Sequence, residues 1–114
     1  VLIAMELKER RQDQAVVLEL SGRLDSNTAD GFEEKLLGMI RNGEKYIVLD
    51  FSSLEYISSA GLRVLLKAAR ELKQTDGKMH LCSLKDYIQE VFDLSGFVSF
   101  LPIYAVVEDC IDAF

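Results

Sequence analysis

The chain is poor in the residues on which most enzyme chemistry depends. Its 114 residues include one histidine, His80, two cysteines, Cys82 and Cys110, and no tryptophan. A serine nucleophile needs a base. Here the lone histidine lies inside a strand-like run, Met79-His80-Leu81-Cys82, where a structural role is expected. The sequence contains no G-x-S-x-G, no G-x-x-x-x-G-K-[ST] and no G-x-G-x-x-G, so it carries neither a nucleophile elbow nor a conventional phosphate loop. No intrinsic catalysis and no cofactor are expected. The cysteines lack a C-x-x-C arrangement and further ligands, which argues against a metal site. One disulfide is possible on count alone, but two reduced, buried thiols in a cytoplasmic protein are the expected state.

Positive charge is also scarce. Thirteen basic residues against nineteen acidic ones give a net charge of −6, the wrong sign for a nucleic-acid binder. No apolar run approaches the roughly 18 to 20 residues needed to cross a bilayer, so no membrane partner is expected. Proline occurs once, at Pro102, and there is no Gly/Ser linker or repeat, which points to one domain over residues 1–114. The opening Val1-Leu2-Ile3-Ala4-Met5 is too short for a secretory core and has no basic stretch before it. It reads as the start of a strand, or as a four-residue extension before Met5.

What is present is regular patterning. Ile3 to Lys8 and Ala15 to Leu20 read as a hairpin across a polar turn, Arg10 to Gln14. Ser26, Asn27 and Thr28 are capping candidates for a helix carrying Phe32, Leu36, Met39 and Ile40. Tyr46 to Phe51 is nearly all apolar, as a strand covered on both faces requires, and is expected at the centre of the sheet. A polar link, Ser52 to Tyr56, then leads to a second helix carrying Leu62, Leu65, Leu66, Ala69 and Leu72. Met79 to Cys82 is a further strand, Ser83 is expected to cap a helix bearing Ile88, Val91 and Phe92, and Phe100 to Ile103 is a last short strand. Val106, Val107, Cys110, Ile111 and Phe114 mark a terminal helix, while Gly22, Gly43, Gly77 and Gly96 read as stops and turns. The expected architecture is a small α/β domain with a mixed, mostly parallel sheet, an N-terminal hairpin and about four helices.

Three groups of polar residues are candidates for function. Asp25, Asp50 and Glu55 could converge at one end of the sheet, or could serve only as solvated loop and capping residues. Lys8, Arg10 and Arg11 form a small basic cluster diluted by Glu9 and Asp13, best read as a solvated turn. Ser58-Ser59-Ala60-Gly61-Leu62 stands where the link meets the second helix. One serine there would cap free backbone N–H groups. The other would be left exposed beside Gly61, whose missing side chain would let another surface approach, making a candidate modification site.

The stretches Ile47-Val48-Leu49-Asp50-Phe51-Ser52 and Tyr56-Ile57-Ser58-Ser59-Ala60-Gly61-Leu62 resemble the bacterial anti-sigma factor antagonists, small members of the STAS domain family also found in sulfate-transporter tails. Leu20-Ser21-Gly22-Arg23-Leu24-Asp25 is similar to the family's Leu-x-Gly-x-Leu-Asp segment, and Val91-Phe92-Asp93-Leu94-Ser95-Gly96-Phe97 to its late helix and turn. The resemblance implies a partner-switching regulator. Its unphosphorylated form would bind an anti-sigma factor that is also a serine kinase, releasing a sigma factor; phosphorylation would end that binding, and a phosphatase would reset it. Anchored on Gly61 and Leu62, the family's acceptor falls on Ser59, with Ser58 as the alternative. Asp25, Ser58, Ser59, Ala60, Gly61 and Leu62 are then the expected partner-binding residues. Ser58 stands where the family usually has an acid, and Ala60 where it usually has a hydroxyl residue. The rival reading within the same fold is an accessory domain that senses a nucleotide or lipid, or supports a transporter complex.

Overall fold

In the computed structural model, which describes residues 4–96 and 99–114, the N-terminal segment forms a hairpin of Met5–Gln12 (β1) and Ala15–Leu24 (β2). The chain then runs through Ala29–Arg41 (α1), Tyr46–Ile57 (β3), Ser59–Gln74 (α2), Lys78–Cys82 (β4), Asp86–Ser95 (α3), Ile103–Tyr104 (β5) and Val107–Asp112 (α4). The strands lie in the order β1-β2-β3-β4-β5; β1 is antiparallel to β2 and the other neighbours are parallel. The mixed sheet expected from the sequence is the one observed, with Tyr46 to Phe51 in its central strand. Val1, Leu2, Ile3 and Phe97, which the sequence reading used, lie outside the described residues. Ala4 is engaged with the sheet, its carbonyl accepting from the Arg23 N–H at 2.8 Å.

Strand alternation builds two cores. Val16, Leu18 and Leu20 of β2, Ile47, Leu49 and Phe51 of β3, and Met79 and Leu81 of β4 share one face. They pack there with Phe32 and Leu36 of α1, Leu65 and Leu72 of α2, and Phe92 of α3. The intervening Ala15, Val17, Val48 and Cys82 pack with Val107, Cys110 and Ile111 of α4 on the opposite face. His80 belongs to that second face. It is buried, its Nδ1 lies 2.9 Å from the Cys110 carbonyl, and its ring stacks on Phe114 at 4.2 Å between centroids. Burial pushes its pKa below the ordinary 6.5, with nearby Lys78 acting in the same direction against the backbone hydrogen bond. Cys82 and Cys110 are both free and buried, and contact with Cys82 together with burial pushes the Cys110 thiol up.

Several local expectations are corrected. The expected link, Ser52 to Tyr56, is strand. Its register against β2 slips twice, because Glu19 and Ser21 oppose Asp50 and Ser53, and Gly22 and Arg23 oppose Leu54 and Tyr56. Each slip inserts an extra residue in β3, so Phe51, Leu54 and Ile57 all reach the core, a spacing that hides the strand from a period-two reading. The carbonyls of Ser52 and Leu54 are taken by the Lys85 ammonium at 2.9 and 3.1 Å. Gly22 lies within β2 rather than after it. At φ +96 it lets the Ala4 carbonyl approach to where a Cβ would stand 2.4 Å away. Ser83 does not cap α3, whose N-cap is Lys85; Ser83 turns the chain at φ 61, and its hydroxyl donates to the Ala105 carbonyl at 3.0 Å. The last strand begins at Ile103, later than expected, and Phe100 is exposed. The hairpin turn narrows to Asp13 and Gln14, leaving Lys8, Arg10 and Arg11 on edge strand β1, where charges discourage pairing with another chain.

Candidate functional site

The junction of β3 and α2 is held by Ser58. Its N–H donates to the Leu24 carbonyl at 2.9 Å, tying the end of β3 to the end of β2. Its backbone is extended, and its Oγ accepts from the Gly61 N–H at 3.4 Å, so Ser58 is the N-cap of α2. Ser59 is the first helical residue and is exposed. Among the described residues its hydroxyl has no hydrogen-bond partner. The two serines thus divide the roles that the sequence left open.

Gly61 differs from expectation. It is buried, and a Cβ there would lie 2.7 Å from Leu24 Cγ and 3.0 Å from Ile57 Cγ1. Its missing side chain lets the first turn of α2 sit against this chain's own core, which leaves no open backbone for another surface. Leu62 is also buried and Ala60 is half-buried. Of the six residues expected at an interface, Asp25, Ser58, Ser59 and Ala60 reach solvent, and Gly61 and Leu62 support them from below.

Asp25 follows β2 directly, beside this junction. Its Oδ1 accepts from the N–H groups of Asn27 at 2.9 Å and Thr28 at 3.3 Å, and its Oδ2 lies 3.6 Å from Arg23 Nε. Thr28 closes the same turn, its hydroxyl accepting from the Asp25 N–H and donating to the Arg23 carbonyl, each at 2.9 Å. Thr28 is the N-cap of α1 by position but makes no side-chain cap bond; the Asp25 carboxylate takes N–H groups instead. Asp50 does not join Asp25. Asp50 opposes Glu19 and Cys82, and Leu24 opposes Ile57 seven residues further along β3, about 20 Å at an ordinary strand rise. The Asp50 carboxylate accepts from the Ser52 N–H at 2.9 Å, and Glu55 contributes a backbone carbonyl to the Tyr87 hydroxyl at 2.7 Å. Among the described residues no group of three or more His, Cys, Asp or Glu side chains could hold a metal ion.

Two features of the site escaped the sequence reading. Arg23 lies over the half-exposed Tyr56 ring, its guanidinium carbon 4.2 Å from the centroid. Only the double slip of β3 brings Arg23 opposite Tyr56. The second feature was legible: Ser59, Arg63, Lys67 and Arg70 recur at spacings of four, four and three, and all four are exposed along one face of α2. The arrangement presents a free hydroxyl on a braced helix end, with positive charge along the same helix. His80 is on the opposite side of the sheet, so the hydroxyl has no histidine to activate it.

A family model for the STAS domain matches residues 6–110 of the chain. BtrV of Bordetella bronchiseptica, assigned by name as an anti-sigma factor antagonist, is 41% identical over 99 residues, covering 87% of this chain and 85% of that protein. The crystal structure of an anti-sigma factor antagonist from Mycobacterium paratuberculosis has a TM-score of 0.87 over 96% of this chain and 92% of its own, with 22% identity. That likeness is one of fold. The Bacillus cell fate determinant SpoIIAA in its phosphorylated form has a TM-score of 0.73 and 27% identity, over 96% of this chain and 98% of that one.

Proposed function

The chain belongs to the STAS domain family, and from that premise we propose that it is an anti-sigma factor antagonist switched by phosphorylation of Ser59. The observation that carries the reading is the division of labour at the head of α2. Ser58 is committed to the cap, and Ser59 stands exposed, its hydroxyl without a hydrogen-bond partner among the described residues. SpoIIAA, whose fold this chain shares, has a structure in phosphorylated form.

In this reading the unphosphorylated surface formed by Asp25, Ser58, Ser59 and Ala60 binds an anti-sigma factor that is also a serine kinase, and a sigma factor is released. The kinase supplies ATP, Mg²⁺ and the base. The Ser59 Oγ forms a bond to the γ-phosphorus as the bond to the β-phosphate oxygen breaks; ADP leaves and the base takes the hydroxyl proton. The dianion then faces a partner surface shaped for a hydroxyl. A phosphatase restores Ser59.

The test mixes the protein with its candidate cognate kinase, ATP and Mg²⁺ and maps phosphate by mass spectrometry in wild type and Ser59→Ala. One phosphate on Ser59, absent from the variant and accompanied by loss of kinase binding, is the expected result. Phosphate on Ser58 in the wild type would overturn the assignment of the acceptor. A kinase of proven activity that binds without modifying the chain would make it a constitutive antagonist. If no candidate kinase binds, the accessory-domain reading gains.

A further inference from the structure

The exposed face of α2 carries positive charge out of keeping with a chain of net charge −6. Arg63, Lys67 and Arg70 share that face with Ser59, and the first turn of the helix holds no acidic residue. Lys67 is paired with Glu33 of α1 at 3.3 Å. Among the described residues, Arg63 and Arg70 have no carboxylate within salt-bridge distance. Other elements place four charged groups near this end of α2. Arg23 and Asp25, at the end of β2, pair with each other, and Asp30 and Glu33 lie across the groove between α1 and α2 that Arg63 also lines.

Arg63 stands four residues after Ser59, about 6 Å along the axis and about 40° round it. Side chains on a helix lean toward its N-terminus, so an arginine at this position extends back over the turn that carries Ser59. We propose that Arg63 is an internal partner for the phosphate of Ser59, pairing with it within the same helix. A planar guanidinium can offer two parallel N–H donors to phosphate oxygens, and the dianion has a stronger pull on it than the single charge of the Asp30 carboxylate that lines the same groove. Arg70 is about 16 Å further along than Ser59 and is too distant for the same contact. The modification would then do two things at once: place a dianion at the interface and withdraw Arg63 from the surface offered to a partner. This inference rests on Ser59 being the acceptor, so its test installs the phosphate without a kinase.

Phosphoserine is incorporated at position 59 by an expanded genetic code, and the second pKa of the phosphate, ordinarily about 6, is read by ³¹P NMR titration in the otherwise unaltered chain and in Arg63→Gln, Arg63→Lys and Arg70→Gln. Removing Arg63 should raise that pKa by about 0.4 unit, the equivalent of about 0.5 kcal/mol for an i, i+4 ion pair. The lysine variant should recover part of the shift, the Arg70 variant should match the unaltered chain, and the difference should shrink in high salt. Melting curves on all four proteins establish that each is folded, as substitutions at exposed positions allow. An unchanged pKa in Arg63→Gln would overturn the proposal. Equal shifts in the Arg63 and Arg70 variants would also overturn it, by showing a diffuse field in place of a contact. If the kinase test fails while these shifts are observed, the functional reading falls and the pairing stands.

Discussion

Alanine substitutions at two helical glycines should move stability in opposite directions. At Gly38, within α1, nothing lies within 4 Å of an added Cβ, so Gly38→Ala should gain the ordinary helix-propensity difference of about 0.8 to 1 kcal/mol. At Gly61 the same methyl would sit 2.7 Å from Leu24 Cγ and 3.0 Å from both Leu24 Cδ2 and Ile57 Cγ1. Leu24 is wholly buried, and the closest atom is its branch point, which cannot swing aside without moving the whole side chain. Overpacking of this kind costs about 1 to 3 kcal/mol, and the helix gain offsets at most about 1 of it. A net loss of about 1 kcal/mol is expected, separating the variants by about 2 kcal/mol, or several degrees in Tm for a domain of this size. Urea denaturation, with the slope checked to be unchanged, measures both. Gly61→Ala as stable as the wild type would refute the close seating of the first turn of α2 on Leu24, and with it the account of how Ser59 is held outward.

The two serines should separate by stability as well as by modification. Ser58→Ala should cost about 1 kcal/mol through loss of the cap, and Ser59→Ala should stay within about 0.5 kcal/mol of wild type, both read from denaturant midpoints. His80 should give a pH-dependent term. Because its folded pKa lies below the ordinary 6.5, the unfolded chain binds more protons in that window; the stability it confers is complete above about pH 6.5 and is lost as pH falls through the folded value. Denaturant midpoints from about pH 8 to 5 should fall in the wild type and be flatter in His80→Asn, and parallel curves would remove His80 as the cause. Lys85→Met, which strips the ammonium from the Ser52 and Leu54 carbonyls, should cost about 1 kcal/mol; a neutral result would mean that water replaces it at the slips of β3.

The elements whose polarity follows one period were legible in the sequence. The apolar run of β3 up to Phe51, the stripe of α2 and the strand formers of Ala15 to Leu20 led to the mixed sheet and to its central strand. The second half of β3 was not legible, because two extra residues bring the core back at Leu54 and Ile57 by threes, and Ser52-Ser53 and Glu55-Tyr56 then read as a link. Ser83 has the composition of a cap but a left-handed backbone, set by the chain's return to β5 rather than by its own neighbours. At the site, the serine pair was visible and its division of roles was not, since both hydroxyls fit a cap and only backbone geometry assigns it to Ser58. The pairing of Arg23 with Tyr56 depends on the register slip and had no local signal. The basic face of α2 was present in plain spacing but masked by the negative total.

The same geometry constrains how a modification at Ser59 could act. Ser58 is held by bonds to Leu24 and Gly61, and Gly61 is seated on Leu24 and Ile57, so the turn is tied to the core on both sides of Ser59. A phosphate on Ser59 would add about 1.5 to 2 negative charges at a helix N-terminus, where an exposed anion is favoured by about 0.3 to 1 kcal/mol. The modified domain should therefore be at least as stable as the unmodified one, and widespread backbone shifts or a lower Tm in the phosphoserine chain would contradict this. The effect is then left to the interface. Burying an unpaired charge there costs about 2 to 5 kcal/mol, roughly 30-fold to several-thousand-fold in affinity. Reversing occupancy from 1:99 to 99:1 takes about 5.5 kcal/mol. One phosphate left unpaired at the interface comes near that figure without any change of fold; pairing with Arg63 lessens the cost of the bare charge and puts the loss of a cationic contact in its place.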